Sequence, residues 1–70
     1  MRDVEIIKEP VELYKILKFE ALVASGGEAK VVIADGLVKV NGEIETQKRK
    51  KIVAGDVIEF LDETLSIVLK

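Results

Sequence analysis

Residues 25–44 read SGGEAKVVIADGLVKVNGEI, and this stretch decides the fold of the chain. Ser25 and Glu28 form a capping-box pattern, in which the serine hydroxyl accepts a hydrogen bond from the Glu28 N–H and the carboxylate reaches back to the Ser25 N–H. Gly36 suits the left-handed conformation that ends many helices. The pattern therefore predicts a helix over about residues 26–35. Apolar residues recur along it at helical spacing, at Ala29, Val32 and Ile33.

A β-hairpin is predicted directly after this helix. Residues 37–44 read as strand, tight turn and strand, and Asn41-Gly42 is the strongest short hairpin signal because both residues tolerate a positive φ. Residues 45–51 are polar and basic and predict a loop. Residues 57–60 predict the next strand, after a turn at Ala54-Gly55-Asp56.

The two ends of the chain supply the remaining elements. Apolar residues alternate with acids in residues 3–8, which predicts a short strand. Pro10 suits the first turn of a helix, and leucines four residues apart extend this helix over about residues 10–19. Residues 61–64 predict a turn, and residues 65–69 predict a final strand.

The order of these elements predicts an α+β fold in which two consecutive helices pack on a small, mainly antiparallel sheet. Residues 1–70 are expected to form a single domain, since they contain no linker, repeat or low-complexity stretch. The apolar positions predict a core made mostly of Val4, Ile6, Leu13, Leu17, Val32, Ile33, Val38, Val40, Val57, Ile58, Ile67 and Leu69.

The composition argues against several classes of function. The chain has 70 residues with no cysteine and no histidine, so it lacks disulfides, thiolate ligands and the commonest general base. We therefore expect no enzyme, no metal or other cofactor, and no small-molecule substrate. The N-terminus carries acids where a signal peptide needs a basic lead, and no apolar run spans a membrane. A cytoplasmic location is the resulting expectation.

Charge is unevenly distributed along the chain. The net charge is −2, yet residues 39–51 contain five basic and two acidic side chains. The centre of this segment is the run of four cations Lys48, Arg49, Lys50 and Lys51. Such a run is either a solvated loop or a contact surface for a polyanion.

Several of these motifs, taken in order, resemble one known family. A Ser-x-x-x-Ala helix start at residues 25–29, a Gly-x-Val-x-Val-Asn-Gly hairpin at residues 36–42 and a Gly-Asp-x-Ile at residues 55–58 follow one another. This order resembles the RNA-binding domain named after ribosomal small-subunit protein four, the alpha-L motif. The resemblance covers about residues 11–60 and extends to small stand-alone bacterial members connected with ribosomes or their assembly. It implies binding to structured RNA, ribosomal RNA in particular.

Candidate RNA contacts come from the basic loop, from both helices and from the hairpin. The start of the second helix offers free backbone N–H groups and a positive dipole end to a phosphate. The few aromatic residues favour recognition of structured RNA through its shape and backbone. The predicted RNA-binding residues are Lys15, Lys18, Ser25, Gly26, Gly27, Lys30, Lys39, Asn41, Lys48, Arg49, Lys50 and Lys51.

Each of these residues also has a purely structural explanation, as helix cap, turn or solvated side chain. A second function class stays open as well. Residues 40–44 followed by residues 55–60 resemble the end of ubiquitin-like sulfur-carrier domains, although the terminal Val68-Leu69-Lys70 lacks their Gly-Gly tail. A small protein–protein docking module, with a protein partner, is therefore the alternative prediction.

Overall fold

The computed structural model describes residues 1–70 and contains two helices and seven strands. The α+β class and the order of the two consecutive helices are confirmed. The elements are β1 (Arg2–Ile6), β2 (Val11–Glu12), α1 (Leu13–Phe19), α2 (Gly26–Ala34), β3 (Val38–Val40), β4 (Glu43–Ile44), β5 (Lys51–Ile52), β6 (Val57–Phe60) and β7 (Glu63–Leu69).

Five strands form the main sheet in the order β1-β7-β6-β3-β4. Only the β1–β7 pair is parallel, so the prediction of a mainly antiparallel sheet is confirmed. The β3–β4 hairpin turns at Asn41 and Gly42, whose φ angles of 53° and 85° are the positive values that a two-residue hairpin turn needs. Strands β2 and β5 form a separate antiparallel pair beside α1.

Both helices pack on one face of the sheet around fifteen buried side chains. Nine of the twelve predicted core residues are buried, and three are not. Val57 and Ile58 are neighbours in β6 and cannot both face the core, because successive strand residues point to opposite faces. Leu69 lies at the end of β7 and is half exposed, and Val32 is only partly buried at the rim of the core. Six residues outside that list are also buried: Ile16, Val23, Ala29, Ile52, Phe60 and Leu65.

Helix α1 begins three residues later than predicted, at Leu13. Pro10 lies outside the helix because the next two residues pair with Lys51–Ile52 as strands β2 and β5. Two helix N–H groups donate to carbonyls of the basic loop, Leu13 to Lys50 at 2.9 Å and Tyr14 to Lys48 at 3.2 Å. A distant segment of the chain therefore sets where α1 begins.

Other element boundaries differ from the prediction by one or two residues. Strand β1 ends at Ile6 rather than at residue 8, and helix α2 ends at Ala34. Strand β7 begins at Glu63, which shortens the turn predicted over residues 61–64. Neither helix has the length and the apolar character that crossing a membrane requires.

Candidate nucleic-acid interface

The start of helix α2 presents unpaired backbone N–H groups. The Ser25 Oγ accepts a hydrogen bond from the Glu28 N–H at 3.1 Å, which confirms the predicted cap, while the return bond from Ser25 to the Glu28 carboxylate is not formed. The N–H groups of Gly26 and Gly27 donate to no protein acceptor. They lie at the positive end of the helix dipole.

The Tyr14 ring on α1 lies against this first turn of α2. A Cβ at Gly26 would lie 3.7 Å from Tyr14 Cδ2, an ordinary van der Waals distance, so the ring lies directly beside the first residue of α2. The Nζ atom of Lys30 lies 4.8 Å from the ring centroid, while Lys15 Nζ and Arg49 Cζ each lie 6.0 Å from it. These four residues, Tyr14, Lys15, Lys30 and Arg49, are called the Tyr14 cluster below. Cations over an aromatic face are attracted by the ring quadrupole.

The Tyr14 cluster combines three separate parts of the sequence. Lys15 comes from α1, Lys30 from α2 and Arg49 from the basic loop. The loop is held beside α1 because Lys48 and Lys50 accept the first N–H groups of that helix. The loop and the facing ends of the two helices therefore share one face of the molecule.

Glu12, the residue before α1, lies between two cations of this cluster. One carboxylate oxygen lies 3.2 Å from Lys15 Nζ, and the other lies 3.7 Å from Arg49 Nη1. The Lys15 and Arg49 side chains are 45% and 70% exposed, so each ion pair contributes only about 0.2–1 kcal/mol to stability. The cluster keeps a surplus of positive charge, with three cations against one carboxylate.

The other predicted loop and helix cations lie near the Tyr14 cluster. Lys18 Cδ lies 4.0 Å from the position of a Cβ on Gly26, at the start of α2. Lys51 lies in β5 directly opposite Glu12, so it belongs to a strand and not to the predicted loop. Lys48 is exposed and Lys50 is half-buried.

Lys39 lies on the far side of the sheet. Its neighbours Val38 and Val40 are buried against the helices, so the Lys39 side chain faces away from them. Its partner across the strands is Glu59. The structure therefore separates Lys39 from the Tyr14 cluster.

Asn41 uses its side chain to join the hairpin to the turn before β6. Its Nδ2 donates to Asp56 Oδ1 at 3.0 Å, and its Oδ1 accepts from the Val57 N–H at 2.9 Å. The second carboxylate oxygen of Asp56 accepts from the Val53 N–H at 3.0 Å. The Asn-Gly and Gly-Asp motifs, which lie far apart in the sequence, thus form one hydrogen-bonded unit.

The sequence pattern of the S4 domain matches residues 4–68. This chain belongs to the S4 domain family. YbcJ of Escherichia coli (strain K12) is 48% identical over 58 residues, which are 83% of each protein. The solution structure of YbcJ, described as an alpha-L motif involved in RNA binding, has a TM-score of 0.74 at 45% identity and covers 97% of this chain and 87% of that one.

Further similarities to this S4 domain involve proteins of several kinds. The "Probable ribosome maturation protein RlbA" of Bacillus subtilis (strain 168) is 34% identical over 57 residues, 81% of this chain and 80% of RlbA. The ribosomal protein S4e of Thermoplasma acidophilum has a TM-score of 0.68 at 31% identity, over 81% of this chain and 30% of that one. A pseudouridylate synthase has a TM-score of 0.71 at 30% identity, over 80% of this chain and 24% of the enzyme. These similarities favour the alpha-L interpretation over the ubiquitin-like one.

Sequence reasoning missed two residues at the centre of this S4 domain surface, Tyr14 and Glu12. Tyr14 lies off the apolar stripe of α1, and Glu12 looks like an ordinary acid near a helix start. The only local signal is an aromatic residue flanked by an acid and two lysines in residues 12–18. Their meeting with Arg49 depends on tertiary packing.

Replacing Asn41 by glycine is expected to lower the free energy of unfolding by about 1–2 kcal/mol, because two hydrogen bonds are lost while the positive φ stays accessible. Asn41→Ala is expected to lose about 1 kcal/mol more, since alanine tolerates a positive φ poorly. Urea denaturation measures the free energy of unfolding of both variants.

Because the Asn41 side-chain amide is already hydrogen-bonded within the protein, the nucleic-acid affinity of folded Asn41→Gly should stay within about twofold of the original. A stable variant with lost affinity would instead make Asn41 a direct contact.

Proposed function

We propose that this S4 domain is a non-catalytic, cytoplasmic RNA-binding protein that contacts structured RNA, ribosomal RNA in particular. The observation that carries the proposal is the gathering of basic side chains on one face of a chain whose net charge is negative. The side chains of Lys15, Lys30 and Arg49 meet around Tyr14. Lys18 in α1 and Lys48, Lys50 and Lys51 beside Arg49 are proposed as further contacts.

Phosphate neutralisation supplies the affinity in this proposal. A protein that pairs cations with RNA phosphates releases condensed counterions, and this release drives binding. The free N–H groups of Gly26 and Gly27 add donors that side chains do not block. With about four phosphates neutralised, the logarithm of affinity falls against the logarithm of salt concentration with a slope of roughly −3 to −4.

The aromatic residues favour structured RNA over splayed single strands. Phe60 is buried in the core, and the Tyr14 ring already has Lys30 over its face. Phe19 alone is well exposed, at 68%. Reading several unstacked bases requires a series of aromatic rings. Recognition of backbone and shape needs only the cations and N–H groups described above.

The relatives support the same function. YbcJ carries the alpha-L motif described as involved in RNA binding, and its matched part spans most of both chains. RlbA is named for ribosome maturation and S4e is a ribosomal protein, which supports ribosomal RNA as the target. The similarity to pseudouridylate synthase covers about a quarter of that enzyme, so it supports an RNA-related module rather than a catalytic one.

The test is a salt titration of binding to three labelled probes. These are a stem-loop fragment of ribosomal RNA, a DNA hairpin of matching sequence and an unstructured RNA of equal length. We expect the stem-loop RNA to bind most tightly, with a slope of roughly −3 to −4. A slope near zero, or equal affinity for all three probes, would contradict the proposal.

A further inference from the structure

The Glu12 carboxylate forms ion pairs with both Lys15 and Arg49. We infer that Lys15 and Arg49 form a phosphate subsite which the Glu12 carboxylate fills in the free protein, and that an RNA phosphate displaces this carboxylate on binding. The inference rests on the proposed RNA-binding function. It adds that the Glu12 carboxylate of the protein itself competes with an RNA phosphate for the same two cations.

The geometry of the ion pairs supports this inference. The two Glu12 oxygens contact two cations from different segments, at 3.2 Å and 3.7 Å. A phosphodiester also offers two charged oxygens and a single negative charge, so it can replace the carboxylate without changing the local charge balance. Arg49 is suited to this exchange because its planar guanidinium matches phosphate and carboxylate alike.

Glu12 has no other structural task that would keep its carboxylate in place. It occupies the N-cap position of α1, yet its side chain makes no capping hydrogen bond. Loop carbonyls already accept the N–H groups of Leu13 and Tyr14. The Glu12 backbone is held by pairing with Lys51, so the side chain alone needs to turn away.

The cations have a second partner that remains when Glu12 leaves. Lys15 and Arg49 both lie 6.0 Å from the Tyr14 ring centroid, so the ring continues to attract them. Both side chains are well exposed, which makes their ion pairs with Glu12 weak and exchangeable. The subsite therefore persists while its occupant changes.

The decisive variant is Glu12→Gln, which keeps the size of the side chain and removes the competing charge. We expect it to bind the ribosomal RNA stem-loop about threefold to tenfold more tightly, because no surface ion pairs must be broken first. The salt slope should steepen by up to about one, since the two cations now release additional counterions. Glu43→Gln is the matched control, as it makes the same charge change on exposed strand β4.

A double-mutant cycle separates displacement from a general charge effect. In a background of Lys15→Gln and Arg49→Gln, the gain from Glu12→Gln should shrink to the gain seen for Glu43→Gln. Weaker binding by Glu12→Gln alone would overturn the inference and make Glu12 a positioning residue for the two cations. An equal gain for Glu12→Gln and Glu43→Gln would also overturn it.

Two further measurements distinguish loss of the fold, failure of the proposed function and failure of the Glu12 displacement. Thermal unfolding of each variant shows that the fold is retained before affinities are compared. If the original protein fails to bind the RNA stem-loop, the proposed function itself fails. If it binds but Glu12→Gln brings no gain, only the displacement of Glu12 is overturned.

Discussion

Replacing Lys48, Arg49 and Lys51 together by glutamine is expected to weaken binding to the ribosomal RNA stem-loop about 100-fold or more at physiological salt. Three exposed cations are lost, Lys48 and Arg49 from the basic loop and Lys51 from the adjoining strand β5. The salt slope should flatten by about two to three, because fewer counterions are released on binding. Filter binding or fluorescence anisotropy across a salt series measures both quantities.

The loop should keep its conformation in this variant. Its contacts with α1 run through backbone carbonyls of Lys48 and Lys50, which a change of side chain leaves in place. Lys50 is left unchanged because its side chain is half-buried. Circular dichroism and the thermal unfolding midpoint should therefore match those of the original protein closely.

A matched control distinguishes the loop from overall charge. Replacing Lys8, Lys39 and Lys70 by glutamine makes the same change of three charges to a chain of net charge −2, at positions outside the Tyr14 cluster. Long-range repulsion between the net negative charge of the protein and the RNA would weaken binding equally in both triple variants. Salt screens this repulsion beyond about 8 Å at physiological ionic strength. Equal losses in the two variants would show that the loop is not a contact surface.

Replacing Ile52 by alanine is expected to lower the free energy of unfolding by about 2–4 kcal/mol. Ile52 is fully buried, and it belongs to β5 immediately after the basic loop. Its truncation removes three carbon atoms from a packed interior and leaves a cavity that the surroundings fill only in part. Chemical denaturation, with the urea dependence compared between variants, measures the loss.

The next residue in the chain provides the control for this prediction. Val53 is 41% exposed, so Val53→Ala should cost less than about 1 kcal/mol. Ile52→Val should fall between the two, at about 0.5–1.5 kcal/mol. Similar losses for Ile52→Ala and Val53→Ala would mean that Ile52 does not anchor the basic loop to the core.

Local signals in the sequence predicted α2 and the hairpin correctly. The Ser25 cap depends on a hydrogen bond to a residue three positions away. The positive φ of Gly36, just after the end of α2, and the turn at Asn41-Gly42 are backbone conformations that few residue types tolerate. These features involve only neighbouring residues, so the order of amino acids is enough to specify them. The order of the elements then favoured the alpha-L motif.

Tertiary structure decided the features that join distant segments. Pro10 and the leucines after it gave no sign that α1 begins at Leu13, because that start is fixed by hydrogen bonds that helix N–H groups donate to loop carbonyls at residues 48 and 50. The burial of Ile52 likewise follows from the pairing of β5 with β2.

The candidate site likewise combines residues that the sequence predicts with an arrangement that only the tertiary structure determines. Its cations can be read from the sequence, since lysine and arginine are almost always charged. Their arrangement around Tyr14, the ion pairs to Glu12 and the separation of Lys39 arise only when two helices and a loop pack together. Short-range hydrogen bonds and φ preferences are properties of a few consecutive residues, whereas the relative positions of these charges depend on how the whole core packs.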